Sequence, residues 1–299
     1  MRKFAIITDS SSNMDSGFVQ KYGVNDILPM HIFQGEKKYD ANGDWIGLDP
    51  KEYFDSMRNG LIYKSGQVLA SEYKESFEKF LKQDMDILSI SCTSALSASV
   101  KESYKARDEL KEIYKDHNIV CVDSANCTFT LAMIVIKACI FREEGKSIEE
   151  IVKWIDENKE DYNEVGTVEK LTYLKQAGRV SASAAFFGGL LGVKPIVVYD
   201  EVGHNVAIEK EKGRNNSFLK LAEYVKKYAN IQKSNVIYIA HGDCLDEAKE
   251  VSEMIQAQYE EKLEFVIRYI EPGVSSSTGP GTIIICFLGS REMRKLYNK

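Results

Sequence analysis

Three times in its first half the chain runs a short apolar stretch into a cluster of hydroxyl side chains. Phe4–Thr8 leads into Thr8-Asp9-Ser10-Ser11-Ser12-Asn13, Asp86–Ile90 leads into Ser91-Cys92-Thr93-Ser94-Ala95-Leu96-Ser97-Ala98-Ser99, and Ile119–Asp123 leads into Ser124-Ala125-Asn126. Apolar runs this short, closed by turn formers, read as buried strands. Between the second and third, Val100, Tyr104, Leu110 and Ile113 keep a helical face, and Cys127 to Arg142, closed by Gly145, reads as a buried helix with a glycine stop. Strands spaced by helices pair in parallel through right-handed crossovers. Ligands of such sheets bind beyond the carboxyl ends of the strands, which is where these clusters fall. Each cluster also suits the plainer task of starting a helix, because Ser, Thr and Asn favour N-caps and turns.

The second half has a different pattern. Ser147-Ile148-Glu149-Glu150 is a capping box, with Ile148, Ile151, Val152 and Ile155 on one helical face, and the polar stretch Glu157 to Tyr162 suits a domain boundary. Lys194–Asp200 and Asn205–Lys210 flank a short loop with Gly203, as in a hairpin. Leu245, Ala248, Val251 and Ile255 mark a further amphipathic helix, and Val236–Ala240, Phe265–Ile270 and Thr282–Leu288 read as strands. The expectation is an α/β chain of two domains: a Rossmann-like parallel-sheet domain over residues 1–160 and an α+β mixed-sheet domain over 161–299. A length of 299 residues suits two cores better than one.

Composition removes several classes of function. A net charge of −6 and the absence of a dense Lys/Arg run disfavour nucleic acid, which needs a basic face to displace counterions. No stretch approaches the roughly 18 apolar residues of a membrane span, so the chain is not expected to be an integral membrane protein. The four-residue apolar run near the N-terminus is a strand and no signal peptide. The six cysteines form no C-x-x-C pair and mostly sit in apolar stretches, as buried reduced thiols do. A cytoplasmic location follows as the simplest expectation.

A fourth cluster, Ser275-Ser276-Ser277-Thr278-Gly279-Pro280-Gly281, precedes a strand. Hydroxyls and backbone N–H groups converging at strand ends and helix N-termini make a neutral cradle for a carboxylate or phosphate. They do so without the desolvation cost of a buried countercharge. The stretch from Ala177 through Arg179 to Ile196 places one arginine before small and large apolar residues with three glycines, Gly188, Gly189 and Gly192. It reads either as a helix packed through its small face or as the wall of an apolar pocket with Arg179 near the polar mouth. The G-x-S-x-G, G-x-x-x-x-G-K-[ST] and H-E-x-x-H patterns are missing. Of the four histidines, His117 and His204 are expected to face solvent. His241 follows a buried strand, where it serves a turn or borders a site. Asp9 has no partner carboxylates at metal-ligand spacing, so no metal site and no cofactor are expected.

In order, these segments resemble the DegV family over essentially the whole chain. The matching pieces are Thr8-Asp9-Ser10-Ser11-Ser12, Lys64-Ser65-Gly66-Gln67, Thr93-Ser94-Ala95-Leu96-Ser97, Gly178-Arg179-Val180-Ser181, Lys194-Pro195-Ile196 and Thr278-Gly279-Pro280-Gly281. The resemblance implies a Rossmann-like domain joined to a mixed-sheet domain, similar to dihydroxyacetone-binding kinase subunits. It further implies one long-chain fatty acid with its carboxylate on hydroxyl side chains and its chain in an apolar tunnel. No catalysis is implied, and the ligand would be presented to a separate fatty acid kinase that makes an acyl-phosphate. Carried over by position, the ligand-binding set is Ser65, Ser94, Ser97, Arg179, Ser277, Thr278 and Gly279. Ser65 stands where the family usually has Thr in Thr-Ser-Gln-Pro, with Gly66 and Val68 replacing Ser and Pro. Ala98 and Ser99 replace a Gly-Thr pair, and Ser277 stands where many members carry His. Two other readings stay open: an enzyme of kinase-like or hydrolytic type using Asp9 or His241, and a lipid-sensing regulatory module.

Overall fold

A computed structural model of the chain describes residues 2–181 and 192–298. The part of the Ala177–Ile196 stretch from 182 to 191, read above as a small-faced helix or a pocket wall, lies outside the described residues.

The first sheet is parallel, in the order β2 (Asp26–Leu28), β1 (Phe4–Asp9), β6 (Asp86–Ser91), β7 (Ile119–Asp123). Its central strand alternates faces as a strand must. Phe4 and Ile6 pack on one side, with α5 (Thr128–Glu143) and α6 (Ile148–Asn158). Ala5 and Ile7 pack on the other, with α2 (Pro50–Arg58), α3 (Ala70–Leu81) and α4 (Ser99–Lys111). Ser147 caps α6 and forms the expected reciprocal pair with Glu150.

A second, mixed sheet has the order β13 (Glu264–Tyr269), β12 (Val236–His241), β14 (Ile283–Leu288), β8 (Tyr162–Thr167), β10 (Val193–Tyr199), β11 (Asn205–Lys212), β9 (Val180–Ser181). Strands β10 and β11 form the expected hairpin, with a bulge between Ile196 and Val197. Its outer face is covered by α8 (Arg214–Tyr228) and α9 (Leu245–Gln256). Its inner face meets α5, so that helix is enclosed between two sheets. That position explains why α5 is apolar on every side, with Leu131, Ile134, Val135 and Ala138 all fully buried.

Two features depart from the sequence reading. A small antiparallel sheet, β4 (Lys37–Asp40), β3 (His31–Gln34), β5 (Lys64–Gly66), covers one side of the first sheet's carboxyl edge. Its strands are short and largely polar, so periodicity does not mark them. The fourth hydroxyl cluster starts no helix: it is the body of α10 (Pro272–Thr278), capped at its start by Glu271. Among the histidines, His204 is exposed beside Asp200. His117, expected in solvent, is half-buried edge-on to Tyr114, because the turn after α4 folds back onto that helix.

Candidate ligand site

The carboxyl ends of β1 and β6, the turn before α4, the start of α5, strand β5 and helix α10 converge on one cleft. Its inner part, about 50 Å3, is lined by the hydroxyl residues Ser11, Ser65, Ser97, Ser277 and Thr278, with Arg179 and Asn205 beside them. Met30, Leu96, Leu174 and Val274 supply its apolar walls, and the thiols Cys92 and Cys127 also border it. An outer chamber of about 380 Å3 opens next to it and shares Ser65, Arg179 and Ser277. That volume falls within the roughly 300–1,000 Å3 of small-ligand sites.

The hydroxyls fall into two kinds. Ser97 Oγ and Ser99 Oγ lie 2.9 Å apart, and Ser99 in turn accepts the Val68 N–H, so this pair holds the turn together. Ser11 donates to Asp9. The hydroxyls of Ser65 and Ser277 make no hydrogen bond among the described residues, and both border inner and outer parts of the cleft. Asn205 Oδ1 is also buried without a partner. Unpartnered polar groups lining a cavity are what a polar ligand satisfies.

Helix α10 is held in place from behind. Glu271 is fully buried, its carboxylate accepts the N–H groups of Gly273 and Val274, and its backbone N–H donates to Asn13 Oδ1 at 2.6 Å. Burial raises its carboxyl to about 8 despite those bonds. Asp9 is likewise pushed up by burial, against the hydrogen bonds from Ser11 and Cys92 that hold it down.

Arg179 follows α7 (Leu171–Ala177) and is exposed. Its guanidinium donates to the carbonyls of Ala177 at 2.7 Å and Leu96 at 3.4 Å, which anchors it at the rim. No acidic partner for it is found among the described residues. Ser94 is exposed on the turn and uses its backbone N–H on the Asp123 carboxylate, away from the cleft lining. Gly279 also lies off the lining, at φ +80°, with the ring of Tyr173 in the space a Cβ would need. It thereby lets Tyr173 close one wall of the outer chamber. Gly66 is similar: a side chain there would press on Phe33.

Of the seven residues carried over from the resemblance, the cleft therefore gathers Ser65, Ser97, Arg179, Ser277 and Thr278. His241 ends β12, buried against Tyr269 at 4.5 Å between ring centroids and outside the cleft lining. Burial takes its imidazole down to about 4, against the raising effect of Asp243. Ser11, Asn205 and Tyr173 are cleft residues that were not singled out from the sequence. Ser11 stands in a hydroxyl cluster at a strand end, so a signal existed. Asn205 opens a hairpin strand and carries none.

No group of three or more His, Cys, Asp or Glu able to hold a metal occurs among the described residues. No described helix is long and apolar enough to cross a membrane.

Comparison with known proteins gives a single answer. The family model described as "Uncharacterised protein, DegV family" matches residues 3–290. A DegV domain-containing protein of Clostridium perfringens is 35% identical over 294 residues, covering 98% of this chain and 99% of its own length. A stearic acid-binding protein from Eubacterium ventriosum superposes with a TM-score of 0.83 at 24% identity, covering 97% of this chain and 99% of its own. A DegV family protein from Eubacterium eligens, loaded with heptadecanoic acid, gives 0.80 at 20% identity over 96% and 100%.

Proposed function

We propose that this chain, which belongs to the DegV family, binds one long-chain fatty acid in the cleft between its two main sheets. The observation that carries this reading is the pair of hydroxyls, Ser65 and Ser277, that make no hydrogen bond among the described residues and stand at the junction of the inner and outer cleft. With Ser97 and Thr278 they offer hydrogen-bond donors to a carboxylate without a buried cation, and Arg179 adds positive charge at the rim. Met30, Leu96, Leu174 and Val274 give the acyl chain an apolar surface, as burial of its methylenes requires. The bound acids of the structural relatives favour the same ligand class.

The protein carries its ligand and does no chemistry on it. A nucleophilic serine needs a base within reach; of the two candidates, His241 stands outside the cleft, and Asp9 is a buried carboxyl already engaged by Ser11 and the Cys92 N–H. A division of labour follows in which units 1–160 and 161–299 close on the acid, and the rim around Arg179 presents its head to a fatty acid kinase, in the cytoplasm. Ser277 in place of the family's usual His leaves a hydroxyl where an imidazole would stand at that rim.

Native mass spectrometry of protein purified from cells tests the reading directly. A retained mass matching a fatty acid, lost on delipidation and restored by palmitate or oleate, is expected. Delipidated protein that takes up neither acid overturns it. Acyl-phosphate formation by an added fatty acid kinase, dependent on this protein and reduced by Arg179→Ala, tests the presentation step.

A further inference from the structure

Behind the hydroxyls of the cleft lies a second acid. Asp9 ends β1 fully buried. Both the N–H and the hydroxyl of Ser11 donate to its Oδ1, and the Cys92 N–H donates to its Oδ2 at 2.8 Å. Ser11 and Cys92 in turn line the inner cleft, so one hydroxyl separates the carboxylate from the ligand space. The titratable groups that face Asp9 are Tyr73 of α3, Cys92 after β6, Cys127 against Cys92 at the cap of α5, and Glu271 at the cap of α10. Every one is an acid. No cation acts on Asp9 from any of these elements, and burial raises its carboxyl accordingly.

A serine hydroxyl has one proton to give. While that proton points at an ionised Asp9, Ser11 presents only lone pairs to the cleft, and these repel a carboxylate. With a proton on Asp9 the bond reverses: the acid donates to Ser11 Oγ, and the Ser11 proton turns toward the ligand. A ligand carboxylate bound in the inner cleft, of about 50 Å3, would stand one hydroxyl away from Asp9. Two carboxylates this close, with Arg179 at the rim and no cation acting on Asp9, do not both stay ionised.

We propose that the ligand's carboxylate is bound together with one proton, held on Asp9 and passed on as a hydrogen bond through the Ser11 hydroxyl. Asp9 and Ser11 are thus positioning residues that make the site selective for a carboxylic acid taken up with its proton. The proposal rests on the reading of the cleft as a fatty-acid site. It goes beyond that reading by making affinity depend on pH through one identified group.

Titration calorimetry with dodecanoate below its micellar range, from pH 6 to 9 in two buffers of different ionisation enthalpy, tests it. Proton uptake approaching one per ligand is expected where Asp9 is ionised in the free protein. There the dissociation constant should climb toward tenfold per pH unit, while dodecanol, which has no charge, should bind with no pH dependence. Asp9→Asn should flatten the dodecanoate profile, and Glu271→Gln should keep its slope. Binding without proton uptake at any pH overturns the proposal, as does a slope that survives Asp9→Asn but vanishes in Glu271→Gln. Should Asp9→Asn fail to fold, the wild-type proton count and the Glu271→Gln profile decide between the same two outcomes. Wild-type protein that binds neither dodecanoate nor a longer acid at any pH sinks the fatty-acid reading itself, a distinguishable result.

Discussion

The two main sheets sit on either side of α5, yet they use their strand ends differently. In the mixed sheet, Val165, Val198, Ile237, Ile239, Ile283, Ile285 and Phe287 fill a continuous aliphatic core with α8 and α9. In the parallel sheet, the carboxyl ends bury Thr8, Asp9, Ser10, Ser11, Ser12, Ser91, Thr93, Ser97, Ser124 and Asn126 in a connected polar layer. A buried polar group left without a partner costs about 1–3 kcal/mol. Thr8 Oγ1, Ser12 Oγ and Ser89 Oγ are such groups in and after the parallel strands, as are Asn163 Oδ1, Thr167 Oγ1 and Asn205 Oδ1 in the mixed sheet. The parallel sheet thus gathers its buried hydroxyls near the cleft, and the face of the mixed sheet under α8 and α9 supplies apolar stability at a distance from it. Stability and ligand recognition are separated in space, and substitutions should separate them too.

The largest effect is expected where the halves are tied together. Arg294, fully buried in the last turn of the chain, donates to the carbonyls of Ala125, Asp200, Lys159 and Tyr162 and to Asn126 Oδ1. Arg294→Met leaves these acceptors unpaired and should cost at least about 3 kcal/mol in urea denaturation. A loss confined to ligand affinity would show that the two halves are not coupled through this residue.

Next in size is the acid response of the mixed sheet. His241 has its pKa lowered to about 4 by burial from an ordinary value of 6.5. Between those values the unfolded chain binds the proton that the folded one refuses, so the His241 contribution to stability falls as pH drops from 6.5 toward 4, while the buried carboxyls of Glu271 and Glu164, raised to about 8 and about 7, act in the opposite sense over the same window. The full effect is about 3 kcal/mol at roughly 1.4 kcal/mol per unit. The difference in urea midpoint between wild type and His241→Gln, in which the carboxyl contributions cancel, should therefore change across this window. A difference that stays constant across the window would place the titrating group elsewhere.

The smallest stability effects, and the clearest affinity effects, belong to the cleft. Ser65→Ala and Ser277→Ala remove hydroxyls with no hydrogen-bond partner among the described residues, so each should leave stability within about 0.5 kcal/mol. Each should raise the dissociation constant of a fatty acid by roughly tenfold, since hydrogen bonds to charged groups contribute about 1.5–3 kcal/mol. Ser94→Ala should change neither quantity, because only the Ser94 backbone is engaged. An affinity loss in Ser94→Ala equal to that in Ser277→Ala would place the ligand's head on the outer turn, not in the cleft.

What the sequence determined by itself was local. Apolar runs of strand length, the helix from Cys127, the capping box at Ser147 and the hairpin around Gly203 follow from periodicity and turn chemistry within a few residues, and the structure has them all. The hydroxyl clusters at the strand ends marked the correct edge of the parallel sheet. Tertiary structure decided which of those hydroxyls meet. Ser65 sits on a short polar strand with no periodic signal, and Ser277 and Thr278 arrive from the far end of the chain on α10. Asn205 arrives from a hairpin. It also decided that Ser94 and Gly279, adjacent in sequence to residues of the cleft, lie off its lining. Packing also made Asp9 a fully buried acid and brought Glu271, more than 250 residues away, close enough for the two charges to act on each other. Spacing along the chain fixes backbone conformation through neighbours, whereas charge, burial and convergence depend on segments that only packing brings together.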